Sequence, residues 1–286
     1  GLSNGATGGA ISIATGYGKT TSSGTLTIQS VNAGTAGVSG GLSFRSGTTS
    51  AGSSGQIAFT SGAATNGKGG DISLAVGSGN TGIGGDISAS AGSSTAATGG
   101  SISLSTGAGR DTSSGSVVVQ TVNAGTSGVS GSLTFSTGTA SDGTSGIISF
   151  QTGTATNGKG GDFSLVVGSG TDYSGGDLTM VAGETTADSS LGGAVGITAG
   201  LGSSTTGASG GDISLTAGQG NGASGGSLSL STGNGVAKSS GFIKIQTVDA
   251  GVSGISGSLS FSSGTTSKGA SGIVSIATGL ATHGRG

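Results

Sequence analysis

The chain has 286 residues, of which 69 are Gly and only 7% are charged, and its formal net charge is −2. The lack of Pro excludes collagen-like and polyproline structures, and the lack of Cys excludes disulfides and thiolate metal sites. The near-neutral charge leaves no basic surface for nucleic acid, and no apolar run is long enough for a membrane helix. Gly-rich and Ser-rich chains are often disordered, but here the apolar residues recur with strict regularity.

A short repeat begins at Gly9 and continues to the end of the chain. Each unit starts with Gly at position 1, carries apolar residues at positions 3 and 5, and usually has a second Gly at position 8. Positions 3 and 5 are apolar in all eighteen repeats, from Ile11 and Ile13 in the first to Val274 and Ile276 in the last. Most repeats are 15 residues long, and the others have 16 to 18.

Alternating apolar residues have the period of a β-strand, with both apolar side chains on one face. The glycines at position 8 predict a corner with positive φ. Because a single repeat is too small to fold alone, we expect consecutive repeats to stack. The sequence therefore predicts an all-β fold: a parallel β-solenoid, or β-helix, of about eighteen coils without helices, with ~4.8 Å between strands and a length of roughly 85 Å.

A longer repeat lies over the short one. The 23-residue segment that begins at Ser22 recurs from Ser113 and again from Ser239. The predicted organisation is a single continuous array over 1–286, with long-period repeats at 22–112, 113–238 and a truncated 239–286. Because both ends cut through the pattern, we expect an excerpt of a longer array, with open sheet edges that join copies end to end or laterally into filaments.

Acidic residues stand at position 2 of consecutive repeats and form a candidate calcium site, which comprises Asp71, Asp86, Asp162 and Asp177. Stacked carboxylates ~5 Å apart repel each other, and Ca²⁺ would relieve the repulsion. The alternative is that Lys68 and Lys159, each three residues upstream of an Asp, neutralise this edge. No other cofactor is predicted.

Position 4, between the two apolar residues, is Ser or Thr in fourteen repeats and predicts an outward polar ladder. Its members are Ser12, Thr27, Ser43, Ser73, Ser88, Ser103, Thr134, Ser149, Ser164, Thr179, Ser214, Ser229, Ser260 and Ser275. The strip loosely resembles the Thr ladders of β-solenoid antifreeze proteins, although here it is mostly Ser. That resemblance implies a surface that binds ice, and polysaccharide or mineral is an alternative partner.

No catalytic constellation is evident, because the only His, His283, occupies a turn position held by Asn66 and Asn157 in earlier repeats. The strings GGSISLSTG, GSLSLSTG and SGSLSFSSG resemble the Gly/Ser-rich repeats of secreted algal, diatom-type wall and adhesive proteins. This resemblance implies an extracellular structural protein, part of a fibre, coat or adhesive, and no enzyme. Its predicted partner is itself, without nucleic acid or a membrane span.

Overall fold

The computed structural model describes residues 7–280, and neither a helix nor a β-strand occurs among them. The chain is irregular coil, interrupted by short bends and turns between the apolar segments. The prediction of an all-β parallel β-solenoid, or β-helix, is therefore wrong. The predicted strand spacing of ~4.8 Å and rod length of roughly 85 Å no longer apply, because both were calculated from strand pairing.

The amount of exposed surface shows that little of the chain is buried. The chain exposes 27625 Å², whereas a compact protein of 25.9 kDa exposes about 10,500 Å² and the unfolded chain about 37,600 Å². No side chain among the described residues belongs to a buried core, whether apolar or polar. The described residues therefore do not form a globular domain.

The solenoid prediction fails because the backbone hydrogen bonds of residues 7–280 are local in sequence and do not pair one apolar segment with another. In the part of the chain that the structure describes, these bonds join residues 3 to 11 positions apart, mostly from the position-1 Gly to the position-8 Gly before it. Alternation at positions 3 and 5 specifies which side chains share a face, but it does not specify a pairing partner. Positions 9 to 15 carry few large side chains, so they add little apolar contact between successive segments.

The alternation nevertheless gives each apolar segment two distinct sides. Three repeats carry a large apolar residue at position 2 as well as at position 3, which allows a direct comparison. The position-2 side chains Ile147, Phe242 and Ile273 are 85–88% exposed, whereas the adjacent Ile148, Ile243 and Val274 are 50–57% exposed. Positions 3 and 5 therefore lie on the more shielded side, as a period of two predicts.

The chain divides into two compact units, with the boundary between Gly146 and Ile147. This boundary lies inside the predicted long-period repeat 113–238. Each unit is built from the same short repeat, and the continuous array over 1–286 stays a prediction.

Candidate functional site

Each repeat consists of an apolar segment, positions 1 to 8, and a closing loop, which runs from position 8 to the next position 1. In ten closing loops, the position-1 Gly donates its N–H to the carbonyl oxygen of the preceding position-8 Gly, as Gly100 does to Gly92 at 2.8 Å. The two longest loops keep this bond, from Gly193 to Gly183 and from Gly211 to Gly200, each at 2.9 Å. In these two loops the inserted residues lengthen the loop without opening it.

Seven closing loops carry a further Gly at position 10, and the loop geometry requires it. A Cβ on Gly18 would lie 2.6 Å from the carbonyl oxygen of Thr21, and a Cβ on Gly170 would lie 2.5 Å from that of Tyr173. The same crowding by loop carbonyls occurs at Gly79, Gly109, Gly202, Gly220 and Gly235. In these seven loops, a side chain at position 10 would clash with the loop carbonyls. Three other loops are closed by the same bond with Ala64, Ser94 or Thr185 at position 10, so the requirement for glycine belongs to these seven loops.

The predicted positive φ at position 8 is wrong. Among the described residues, the glycines with positive φ are Gly52, Gly143, Gly207 and Gly269, with φ between 108° and 130°. Gly52, Gly143 and Gly269 occupy position 13 of three equivalent loops in the long-period repeats. Position 8 contributes its carbonyl oxygen to loop closure instead.

The apolar side chains of positions 3 and 5 form a strip, here called the apolar strip, that is only half covered. Position-3 side chains of the interior repeats range from 47% exposed at Ile57 to 66% at Phe163, whereas Ile11 in the first repeat is 93% exposed. Neighbouring repeats therefore shield one another in part. Two ring contacts show this directly: Phe44 meets Phe59 edge-on at 6.2 Å, and Phe150 lies 6.4 Å from Phe163.

All fourteen Ser and Thr residues of the predicted ladder are exposed. They occupy position 4, on the more open side of the apolar segment. The regular spacing that the ladder prediction assumed came from strand pairing, which the described residues lack. The structure thus places these hydroxyl groups at the surface, and the ladder and its role stay predictions.

Lysines hold two of the four predicted calcium ligands. Lys68 Nζ donates to Asp71 Oδ2 at 2.7 Å, and Lys159 Nζ lies 2.7 Å from both carboxylate oxygens of Asp162. The alternative in which lysine neutralises this edge is confirmed for these two pairs. Asp86 and Asp177 occupy the same position in the following repeats, and within residues 7–280 no three acidic or His side chains converge on a common point. Calcium binding stays a prediction.

The described residues form no pocket, and none of their segments is a helix that could cross a membrane. His283 lies outside the described residues. Comparison with protein-family models, with curated proteins and with solved structures gave no match to the chain. The resemblance to algal wall proteins therefore depends on the repeat strings alone.

The closing loops are the feature that the sequence interpretation missed. Their signal was present in the sequence, because Gly-x-Gly at positions 8 to 10 occurs in seven repeats. Those glycines were interpreted as corners of a solenoid. The structure gives them a different task, in which one Gly accepts the closing hydrogen bond and the other makes room for the loop carbonyls.

Proposed function

We propose that the chain is a non-catalytic structural protein, a segment of an extracellular fibre, coat or adhesive, and that copies associate laterally through the apolar strip. The observation that carries this proposal is the contrast between composition and exposure. Positions 3 and 5 are apolar in every repeat, yet no described side chain reaches a buried core.

Residue variation in the loops can be compared with the constancy of the apolar strip. Position 9, for example, is Tyr17 in one closing loop, Ser78 in another and Gln219 in a third. Exposed positions without a constraint vary in this way. Positions 3 and 5 never become polar in eighteen repeats, although most of these side chains are half exposed. Their constancy favours a partner that covers them.

A second copy of the chain is the occupant that fits the strip best. The strip is periodic, so an identical strip on another copy matches it at many repeats at once, and weak contacts add up through multivalency. The formal net charge of −2 gives little repulsion between copies. The described residues offer no pocket for a small ligand.

Energetics supports the same conclusion. Ordering a residue costs about 1–2 kcal/mol of backbone entropy, which globular proteins offset mainly by burying apolar surface. The chain leaves most of its surface in water. Association through the apolar strip would supply the missing burial, at roughly 25 cal/mol for each Å² of apolar surface covered.

The test compares two triple variants with the same change in charge. One replaces position-3 residues, Ile72→Asp, Ile102→Asp and Ile213→Asp, and its matched control replaces the next residue in each segment, Ser73→Asp, Ser103→Asp and Ser214→Asp. We expect the wild type and the Ser variant to form large assemblies as concentration rises, and the Ile variant to stay monomeric. Analytical ultracentrifugation and electron microscopy measure the outcome. A monodisperse wild type at high concentration, or equal assembly of both variants, would contradict the proposal.

A second candidate function is binding of polysaccharide through the position-4 hydroxyl groups, because all fourteen are exposed. Cosedimentation with insoluble glucans would detect it. Since the Ser→Asp control removes three of these hydroxyls, it would lose glucan binding while keeping self-association.

A further inference from the structure

Four Asn-Gly pairs lie within the described residues, at Asn66, Asn157, Asn221 and Asn234. Each Asn is exposed and lies in a closing loop. Asn66 and Asn157 occupy identical six-residue motifs, NGKGGD, in two long-period repeats. The pairs share their chemistry but differ in how closely the rest of the loop approaches the glycine.

We propose that Asn66 and Asn157 are sites of spontaneous deamidation, and that the loop around Gly235 protects Asn234 from the same reaction. In this reaction, the backbone nitrogen of the following Gly loses its proton and attacks Cγ of the Asn. A bond forms between that nitrogen and Cγ, the bond from Cγ to the side-chain nitrogen breaks, and ammonia leaves. Water then opens the resulting succinimide at either carbonyl, which gives aspartate or isoaspartate.

The attack needs a peptide unit that can rotate until the glycine nitrogen meets Cγ. Glycine favours this rotation because it has no side chain and wide backbone freedom. At Gly67 the direction of a Cβ is open, with nothing within 4 Å, and at Gly158 only the Cβ of Ala155 lies as near as 3.9 Å. Neither glycine is crowded on that side, which leaves room for the rotation that the attack needs.

Gly235 has different surroundings. A Cβ placed on it would lie 2.5 Å from the carbonyl oxygen of Lys238 and 2.7 Å from the carbonyl carbon of Ser239. Gly235 is also half-buried, whereas Gly67 and Gly158 are exposed. These backbone groups restrict the rotation that brings the Gly235 nitrogen to Asn234 Cγ.

Loop closure by itself does not explain the difference. The loop that contains Asn66 is closed from Gly70 to Gly62 at 3.3 Å, and the loop that contains Asn234 is closed from Gly241 to Gly233 at 3.2 Å. The distinguishing feature is that Gly235, at position 10, is crowded by the loop carbonyls, whereas Gly67 is not. Asn221 is an intermediate case, because Gly222 is open but Asn221 Oδ1 accepts a hydrogen bond from Gln219 Nε2 at 3.1 Å.

Deamidation would change the charge of the chain. Each event adds one negative charge to a protein whose formal net charge is only −2, so two events would double it. The new carboxylate at position 66 would stand two residues from Lys68, whose ammonium group is paired with Asp71. Negative charge therefore accumulates as the protein ages, and electrostatic repulsion between copies increases with it. The chemistry itself does not depend on the proposed function.

The experiment follows the purified chain in mildly alkaline buffer at constant temperature. Peptide mapping by mass spectrometry measures conversion of each Asn, and isoaspartyl methyltransferase labelling identifies the isoaspartate product. We expect Asn234 to react roughly fivefold more slowly than Asn66 and Asn157, the factor that corresponds to about 1 kcal/mol. Asn32 and Asn123, which precede Ala, serve as slow controls.

A parallel incubation in concentrated guanidinium chloride removes the loop structure. There we expect Asn234 to react as fast as Asn66, because only the local sequence then acts. The proposal is overturned if Asn234 keeps pace with Asn66 in buffer, or if its slower rate persists in denaturant. The variant Asn66→Gln, Asn157→Gln should lose the two fast products and leave the Asn234 rate unchanged.

Discussion

The apolar segments and the closing loops of the same repeat show opposite properties. The segments carry the regular pattern, apolar at positions 3 and 5 in every repeat, but they have neither strands nor a buried core in the described residues. The loops vary in sequence, yet ten of them are closed by the same hydrogen bond between two glycines. A regular pattern and local order therefore reside in different parts of the repeat.

This difference arises because the loops need hydrogen-bond partners and the segments need apolar neighbours. A closing loop finds its hydrogen-bond partner 8 to 11 residues away in its own sequence. An apolar segment needs apolar neighbours that its own repeat does not contain, because one or two large side chains cannot offset the entropy of ordering. Loops can therefore form within an isolated chain, whereas the apolar neighbours of the segments would come from the proposed association.

Amide hydrogen exchange gives the largest expected contrast between the two parts. In dilute wild-type chain, we expect the segment amides, such as those of Ile102 and Leu104, to exchange at nearly unprotected rates. After assembly, the same amides should become strongly protected, since each is then covered by another copy. The Ile72→Asp, Ile102→Asp, Ile213→Asp variant should show no gain at high concentration. Protection that is independent of concentration would contradict the comparison.

A smaller effect is expected from loop substitutions. Ala at Gly109 places its Cβ 2.7 Å from the Thr112 carbonyl oxygen, whereas Ala at Gly107 meets nothing within 4 Å. We expect Gly109→Ala to open the loop and break the 3.1 Å bond from Gly115 to Gly107, worth about 1 kcal/mol.

Exchange of the Gly115 amide, followed by NMR, should then be roughly fivefold faster in Gly109→Ala. In the control Gly107→Ala, it should match the wild type. Equal exchange in both variants would show that Gly109 is not required for closure of its own loop.

The sequence predicted the sidedness of each repeat but not the fold. Ile147 and Ile148 differ in exposure as a period of two requires, 88% against 50%, because alternation is a property of the local backbone. Strand pairing is not local, so the spacing of Phe44 and Phe59 in sequence could not decide whether their backbones would bond. Their rings do meet, at 6.2 Å, without a strand.

Among the candidate site residues, only the interaction closest in sequence was confirmed. Lys68 and Asp71 are three residues apart and pair across the junction between a closing loop and the next apolar segment. The pairing of Asp71 with Asp86, by contrast, assumed a stacking distance between repeats. The role of the position-10 glycines was missed because it depends on carbonyl oxygens whose direction no residue pattern records.

Calcium binding gives the smallest expected effect. It tests whether the aspartates at position 2 pair with lysine or with a metal ion. Lys68 and Lys159 occupy the carboxylates of Asp71 and Asp162 at 2.7 Å, so a cation must displace an ammonium group to bind there. Both partners are about three-quarters exposed or more, and such a pair contributes little to stability. We expect Lys68→Gln with Lys159→Gln to leave the thermal stability unchanged and to raise calcium affinity. Isothermal titration with calcium chloride measures that affinity, and Asp71→Asn with Asp86→Asn is the control that should remove the part due to this pair of carboxylates. If the wild type and both variants give the same heat, these residues are not calcium ligands and the lysine pairs are their whole role.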